Sequence, residues 1–229
     1  MKLFVVGTDT GVGKTHVSAG LVRALRAMGR DAVAMKPIAS GCEPGPSGPH
    51  NADLTWLSAA ADGLLAPCDL NVYAFQPAIA PHRAAELAGV NIELARIDSA
   101  FQRVAAQHQD VLVEGVGGFA VPLSPTLMLG DLVRALGLPL VLVVGIRLGC
   151  INHALLSAMA IRAAGLDLIG WIANRVDPTM DEPQASIDAI ASRIGVPLLD
   201  AISFSANTAE FARLAESLLA RTETLRFPD

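Results

Sequence analysis

The run Gly7-Thr8-Asp9-Thr10-Gly11-Val12-Gly13-Lys14-Thr15 constrains this chain more than any other feature. It follows the apolar stretch Leu3-Phe4-Val5-Val6, which reads as a short buried strand, and it opens Val17–Met28, which reads as an amphipathic helix. A strand, a glycine-rich turn, Gly-Lys-Thr and a helix form the arrangement that cradles phosphate in nucleoside triphosphate enzymes. The glycines let backbone N–H groups approach phosphate oxygens with no Cβ in the way. Lys14 is placed to neutralise the outer phosphates, and the Thr15 hydroxyl to face Mg²⁺. The common pattern has a glycine where this chain has Thr8, and its nearest glycine, Gly7, stands one residue earlier.

A chain of 229 residues is long enough to bury a substantial core without disulfides, and it reads as a single domain over 1–229, with a poorly ordered tail after about Thr222. High apolar and low charged content suit a parallel sheet covered by helices on both faces. The longest apolar candidate for a membrane span, Leu136–Ile146, is broken by Gly137, Pro139 and Gly145 and is too short. Gly7 and Asp9 interrupt the first apolar run, so no secretory signal is read there and the expected location is cytoplasmic. The net charge of −5, without a Lys/Arg cluster, argues against nucleic acid as the partner. Cys42, Cys68 and Cys150 are widely spaced and lack a C-x-x-C pair, so they read as reduced packing residues.

Apolar runs at Leu3–Val6, Ala32–Met35, Val111–Val113, Leu140–Val144, Leu168–Ile172 and Pro197–Leu199 read as strands. Helical patterns fall at Val17–Met28, Ala52–Ala61, Ile92–Gln107, Leu129–Leu136, Ile151–Ala164, Gln184–Ile194 and Thr208–Ala220. The alternation predicts an α/β fold: a doubly wound, mainly parallel sheet of the P-loop NTPase type. Ligands of such sheets gather at the carboxyl ends of the strands. The Gly-, Pro- and Ser-rich stretch Ser40–His50 reads as a mobile surface loop.

The residues just past the strands carry the chemistry. Lys36 is either an ordinary solvated lysine or a second cation facing the phosphates. Asp53, after Asn51, is either a helix-start carboxylate serving the dipole or a Mg²⁺ ligand. Glu114 ends the apolar Val111-Leu112-Val113, where a carboxylate taken out of water needs a cation. Gly115, Val116, Gly117 and Gly118 follow it and offer backbone N–H groups to a ligand. Gly149-Cys150-Ile151-Asn152 opens a helix whose free N–H groups suit an anion such as a carboxylate, or it is a plain turn. Asn174 either reads an adenine edge or is a turn residue. Among the scattered histidines, only His82, after Pro81 at a helix start, draws interest.

Taken together, the chain resembles the dethiobiotin synthetase family over nearly its whole length. The resemblance rests on GTDTGVGKT at Gly7–Thr15, KPIASG at Lys36–Gly41, NAD at Asn51–Asp53 and PH at Pro81–His82. It continues through VLVEGVGG at Val111–Gly118, LGCINHALL at Leu148–Leu156 and GWIAN at Gly170–Asn174. It implies a Mg²⁺- and ATP-dependent ring closure of 7,8-diaminopelargonic acid with CO2, by way of a carbamate and a carbamic–phosphoric anhydride, to dethiobiotin, ADP and phosphate.

The resemblance also assigns residues. Lys14, Lys36 and Thr10 would be catalytic, and Thr15, Asp53 and Glu114 would hold Mg²⁺. The nucleotide would meet Gly11, Val12, Gly13, Lys14, Thr15 and His16, then Asp53, Glu114, Gly115, Val116 and Gly117. Asn174, Arg175, Ser203, Phe204 and Ser205 would line the adenine side; the family commonly has Pro where Ser203 stands. The diamine would meet Thr10, Lys36, Ser40 and Gly117, and its carboxylate Gly149, Cys150, Ile151 and Asn152 across a homodimer interface. Arg147 replaces a lysine of some members and is expected to be neutral. The competing reading is a partition-type, nucleotide-switched ATPase dimer. Such proteins carry an extra lysine early in the loop, where this chain has Asp9.

Overall fold

The computed structural model describes residues 1–45 and 48–226. Its elements in chain order are β1 (Lys2–Gly7), α1 (Lys14–Ala27), β2 (Ala32–Met35), β3 (Ile38–Ser40), α2 (Ala52–Ala60), α3 (Pro67–Leu70) and β4 (Tyr73–Phe75). There follow α4 (Pro81–Leu87), α5 (Leu94–Gln107), β5 (Asp110–Gly118), α6 (Leu129–Leu136), β6 (Leu140–Ile146) and α7 (Cys150–Ala163). The chain ends in β7 (Leu168–Arg175), α8 (Pro183–Ile194), β8 (Leu198–Ile202) and α9 (Thr208–Arg226).

Six strands form one parallel sheet in the order β2-β5-β1-β6-β7-β8. Its central strands read as unbroken apolar runs because helices cover both faces: β6 is buried at every position, and β7 at all but its last. The chain leaves β1 in one direction to β2 and β5, and later passes to the other side for β6. The reversal beside β1 opens a crevice at the carboxyl edge of the sheet, where such folds take their ligands.

Helix registers follow from the faces they bury. Ile97, Ala100, Phe101 and Val104 give α5 an apolar stripe at helical spacing. Phe211, Leu214, Ala215 and Leu218 turn α9 onto the core, and the Phe211 ring lies where a Cβ on Gly20 of α1 would stand, 2.2 Å from it. That close approach needs glycine at 20.

The structure differs from the sequence reading in a few places. Helix α1 begins at Lys14, three residues before the apolar pattern starts, because the Gly13 carbonyl already accepts from Val17 N at 3.0 Å. Helix α5 begins at Leu94; Ile92 is buried ahead of it as a loop residue. The short parallel pair β3–β4 and the helices α3 and α4 have too few residues to show a period. The last helix runs to Arg226, past Thr222 where a disordered tail is expected, and 227–229 lie outside the described residues. In the stretch expected to be a mobile loop, Glu43 and His50 exchange backbone hydrogen bonds of 2.8 and 2.9 Å, and 46–47 lie outside the described residues.

Candidate functional site

A cleft of about 610 Å³ opens at the carboxyl edge of β1, β2 and β5. The loop between β1 and α1 forms one wall. Gly13 holds a left-handed φ of +85°, and a Cβ there would fall 2.0 Å from the Asn174 amide nitrogen. Both facts demand glycine. Asn174, buried at the end of β7, donates from Nδ2 to the Val12 carbonyl at 2.9 Å and so ties the loop to the sheet.

Two lysines meet on the floor, and their surroundings differ. Lys14 Nζ donates to the carbonyls of Asp9 at 2.9 Å and Gly117 at 2.6 Å, with no carboxylate directly bonded among the described residues. Burial is the main cause that lowers its ammonium to about 8; Glu114 opposes the shift and the neighbouring Lys36 adds to it. Lys36 Nζ donates to Glu114 Oε1 at 2.9 Å and to Asp53 Oδ2. Burial alone would lower it too, but these carboxylates outweigh burial and hold it above the ordinary lysine value.

Glu114, fully buried midway along β5, which continues to Gly118 beyond the Val113 end read from the sequence, also accepts from the Thr15 hydroxyl at 2.6 Å. Its second oxygen, Oε2, has no hydrogen-bond partner among the described residues. Asp53 is placed by the start of α2, where Asn51 accepts from Leu54 N at 3.0 Å as the cap, and its carboxylate is 43% exposed. Three hard oxygen groups thus gather at one corner, Thr15 and Asp53 in the cleft lining and Glu114 buried behind it. That donor set fits Mg²⁺, which keeps some of its water and takes one or two carboxylates plus phosphate oxygens. Among the described residues, no group of three His, Cys, Asp or Glu side chains is gathered for a softer metal.

Thr10, Gly11, Gly13, Lys14, Thr15 and His16 line the cleft on the loop side, with Val12 buried beneath them. Lys36, Ser40, Asp53, Val116 and Gly117 complete the set from the other side. The Ser40 hydroxyl is buried and unpartnered among the described residues. Gly115 is not in the lining: a Cβ there would lie 2.9 Å from the Phe4 ring, so packing explains this glycine. His82 likewise stands apart from the lining, with its Nδ1 buried and unpartnered among the described residues.

The residues read as the adenine side lie further along the same edge. Asn174 is the register partner of Ile202, so Ser203 leaves the sheet beside it, and Arg175 reaches Gln184 at 3.4 Å. Glu210 organises this segment: it accepts from Ser203 N and Oγ at 3.0 Å each and from Asn207 N at 2.9 Å. Partial burial would raise the Glu210 carboxyl, but these donors hold it below its ordinary value. His16 packs edge-on against Phe211 at 5.3 Å, and burial, then Arg23, lowers its imidazole. Phe204 and Ser205 are exposed.

Gly149, Cys150, Ile151 and Asn152 form the cap and first turn of α7. None of them lines the cleft within this chain. Leu148 beside them is 93% exposed, and Leu156 and Met159 of α7 are exposed as well.

Sequence reasoning did not single out the pairing of Asp9 with Arg147, at 2.8 Å, which ties the phosphate loop to the turn after β6. A separation of 138 residues leaves no local signal for it. Nor did it single out Trp56, which also lines the cleft. Its spacing of one helical turn from Asp53 was the available sign.

A family model described as an AAA domain matches residues 1–210. A protein of Xanthomonas oryzae pv. oryzae (strain PXO99A), named ATP-dependent dethiobiotin synthetase BioD, is 51% identical over 215 residues, covering 94% of this chain and 96% of that one. One of the same name from Pseudomonas aeruginosa (strain LESB58) is 50% identical over 197 residues, 86% of each chain. Among solved structures, the cell division ATPase MinD of Pyrococcus furiosus superposes with a TM-score of 0.59 at 17% identity, over 96% of this chain and 98% of that one. The cell division protein FtsY of Thermotoga maritima gives 0.53 at 17%, over 96% and 68%. At such identity these two establish the shared fold alone, that of the P-loop NTPases.

Proposed function

This chain belongs to the ATP-dependent dethiobiotin synthetases, ligases of biotin synthesis, and on that premise we propose how its residues divide the reaction. The observation that carries the reading is the convergence of Lys14, Lys36, Thr15 and Asp53 in the cleft lining, with Glu114 buried behind them and bonded to Thr15 and Lys36.

The substrates are 7,8-diaminopelargonic acid, CO2 and ATP. One amine adds to CO2, loses a proton and becomes a carbamate. A carbamate oxygen attacks the γ-phosphorus, the bond to the ADP oxygen breaks, and a carbamic–phosphoric anhydride forms. The second amine then attacks the carbamoyl carbon, phosphate leaves, and a proton is lost as the five-membered urea closes. Phosphoryl transfer of this kind asks the protein for positioning and charge neutralisation rather than covalent chemistry.

Backbone N–H groups of Gly11, Val12 and Gly13 cradle the phosphates, and Gly117 flanks them. Lys14 neutralises charge on the outer phosphates, and Lys36 faces the transferred group and the carbamate. Thr15, Asp53 and Glu114 would hold Mg²⁺, whose charge offsets that of the β- and γ-phosphates. The unpartnered Glu114 Oε2 supports that role, as the unpartnered Ser40 hydroxyl supports a bond to the carbamate or diamine. The Thr10 hydroxyl, at the cleft beside Gly117, supplies a second such bond. Asn174, Arg175 and 203–205 border the adenine.

A homodimer is part of the same reading. The exposed apolar side chains Leu148, Leu156 and Met159 need a cover, and a second copy seated there would present the α7 N–H groups at 149–152 to the substrate carboxylate at its partner's cleft. The location is cytoplasmic, where ATP is supplied. No described helix is long and apolar enough to cross a membrane.

The decisive measurement is turnover with isotope-labelled bicarbonate and mass detection of the product. We expect phosphate release and a labelled ureido product only when diamine, bicarbonate and ATP are all present. ATP hydrolysis that ignores the diamine and responds to a protein or DNA would instead favour a partition-type ATPase.

A further inference from the structure

We propose that Trp56 sets specificity for the substrate's hydrocarbon tail, acting as a rigid apolar wall along which the methylene chain lies once the amines sit at Lys36. The inference rests on the functional reading above and adds the residue that selects the tail.

Trp56 is 52% exposed, although α2 already buries Leu54, Leu57 and Ala60 against the core. Its indole is therefore not used to pack the helix. It follows Asp53 by three residues, so the two side chains share a face of α2. Asp53 turns to Lys36 on the cleft floor, and Trp56 lines the same cleft one turn farther out. Trp56 also borders a second opening of about 460 Å³, with Gly41, Glu43 and Thr55.

The rest of the cleft sorts by chemistry. Charged and hydroxyl groups gather at the floor around Lys36 and Ser40, while Ile79, Val121 and Pro122 join Trp56 in the lining. Ile79 is itself 41% exposed. A small amine or bare carbamate would need only the floor. A floor of charge with apolar side chains in the lining suits a substrate whose polar head continues into an aliphatic tail. Tryptophan gives that tail a large surface that loses little rotamer freedom on contact. Each methylene buried against it is worth about fourfold in affinity.

The chain has two tryptophans, and Trp171 is fully buried in β7. Emission changes on adding diamine to the nucleotide-free protein therefore report chiefly on Trp56. We expect a blue shift in the wild type that is lost in Trp56→Phe, as a dry wall demands. A vicinal diamine with no tail, 1,2-diaminopropane, should leave the emission unmoved. In turnover, Trp56→Ala should raise KM for the diamine about tenfold, with kcat and KM for ATP within about twofold, and Trp56→Leu should recover most of the loss. An unchanged diamine KM in Trp56→Ala, or an equal emission shift with 1,2-diaminopropane, overturns the proposal while the function stands. Absence of any labelled ureido product from the wild type overturns both. Trp56 is exposed, so circular dichroism of Trp56→Ala should match the wild type.

Discussion

The buried pair at the cleft floor gives a prediction with a worked magnitude. Lys36 Nζ lies 2.9 Å from Glu114 Oε1, and both side chains are withdrawn from water. Breaking such a pair by deleting one partner typically costs about 3–5 kcal/mol, because the remaining charge stays buried and uncompensated. Lys36→Met strands Glu114 with only the Thr15 hydroxyl as a direct donor among the described residues, so this variant should lose about that much stability. For a chain of this size the loss corresponds to a melting temperature lower by about 10 °C. Asp53 bonds the same ammonium but is 43% exposed. Solvent screens that arm, and Asp53→Asn should cost less than about 1 kcal/mol. Glu114→Gln leaves the ammonium with the half-exposed Asp53 and should cost about 2 kcal/mol. The double variant Lys36→Met/Glu114→Gln removes both buried charges and should be more stable than the sum of its parts by about 2–3 kcal/mol. Urea titrations of the nucleotide-free protein, followed by circular dichroism at neutral pH, measure all four. The reasoning is refuted if Asp53→Asn costs as much as Lys36→Met, or if the coupling falls below about 0.5 kcal/mol.

Gly13→Ala meets both a left-handed φ and the Asn174 amide, and should weaken ATP binding at least about tenfold in a nucleotide titration. Gly29→Ala, at φ +78° but in open space, should cost only about 1 kcal/mol in a melt and leave ATP binding alone. Lys14 gives a pH signature in the nucleotide-free protein. Its folded value, about 8, lies below the ordinary 10.5, so between these values the unfolded chain holds more protons and stability rises with pH. The gain is up to about 3 kcal/mol and should vanish in Lys14→Met. Lys36 does not blur this window: its folded value is raised, so its contribution is complete below 10.5 and is lost only as pH climbs through that higher value. Arg147→Ala breaks the half-exposed pair with Asp9, and a thermal melt should register less than about 1 kcal/mol.

The sheet was legible because its strands are buried on both faces and so carry long apolar runs, each flanked by helical spacing. Five were placed within three residues at each end, including the Pro197–Leu199 estimate for β8, whereas β5, read as Val111–Val113, runs on through Glu114 to Gly118, where the glycines hide the strand pattern. The phosphate loop was legible because its glycines and Lys-Thr pair have few other uses. The β3–β4 pair was not, since three residues per strand leave no alternation to detect. The partners within the site were hidden for another reason. That Lys14 rests on the Gly117 carbonyl, or Arg147 on Asp9, depends on which turns the sheet brings together. That Asn174 bonds the loop rather than standing free depends on Gly13 letting it approach, which is a fact of backbone geometry and not of residue type.

The two lysines show how the site is arranged for a polyanion. On the floor, Lys14 and Lys36 carry two positive charges, and Asp53 and Glu114 two negative ones, so the charges of the cluster balance. The balance is not even. Both carboxylates are spent on Lys36, while Lys14 sits among carbonyls and is held at about 8 by burial. Lys14 is thus the cation that gains most from a phosphate, since a bound anion supplies the countercharge it lacks. Two of the three Lys36 N–H donors are held by its carboxylates, and a divalent ion taken up by Glu114 and Asp53 would release them for a new anion. On the proposed reading, then, occupation of the Thr15–Asp53–Glu114 corner and delivery of Lys36 to the transferred phosphoryl group are one event. Mg²⁺ added with a non-hydrolysable ATP analogue should therefore break the Lys36–Glu114 contact, which ¹⁵N-lysine side-chain spectra would register as a shift of the Lys36 resonance. If that resonance holds its position in the ternary complex, Lys36 stays bound to the carboxylates and the coupling does not exist.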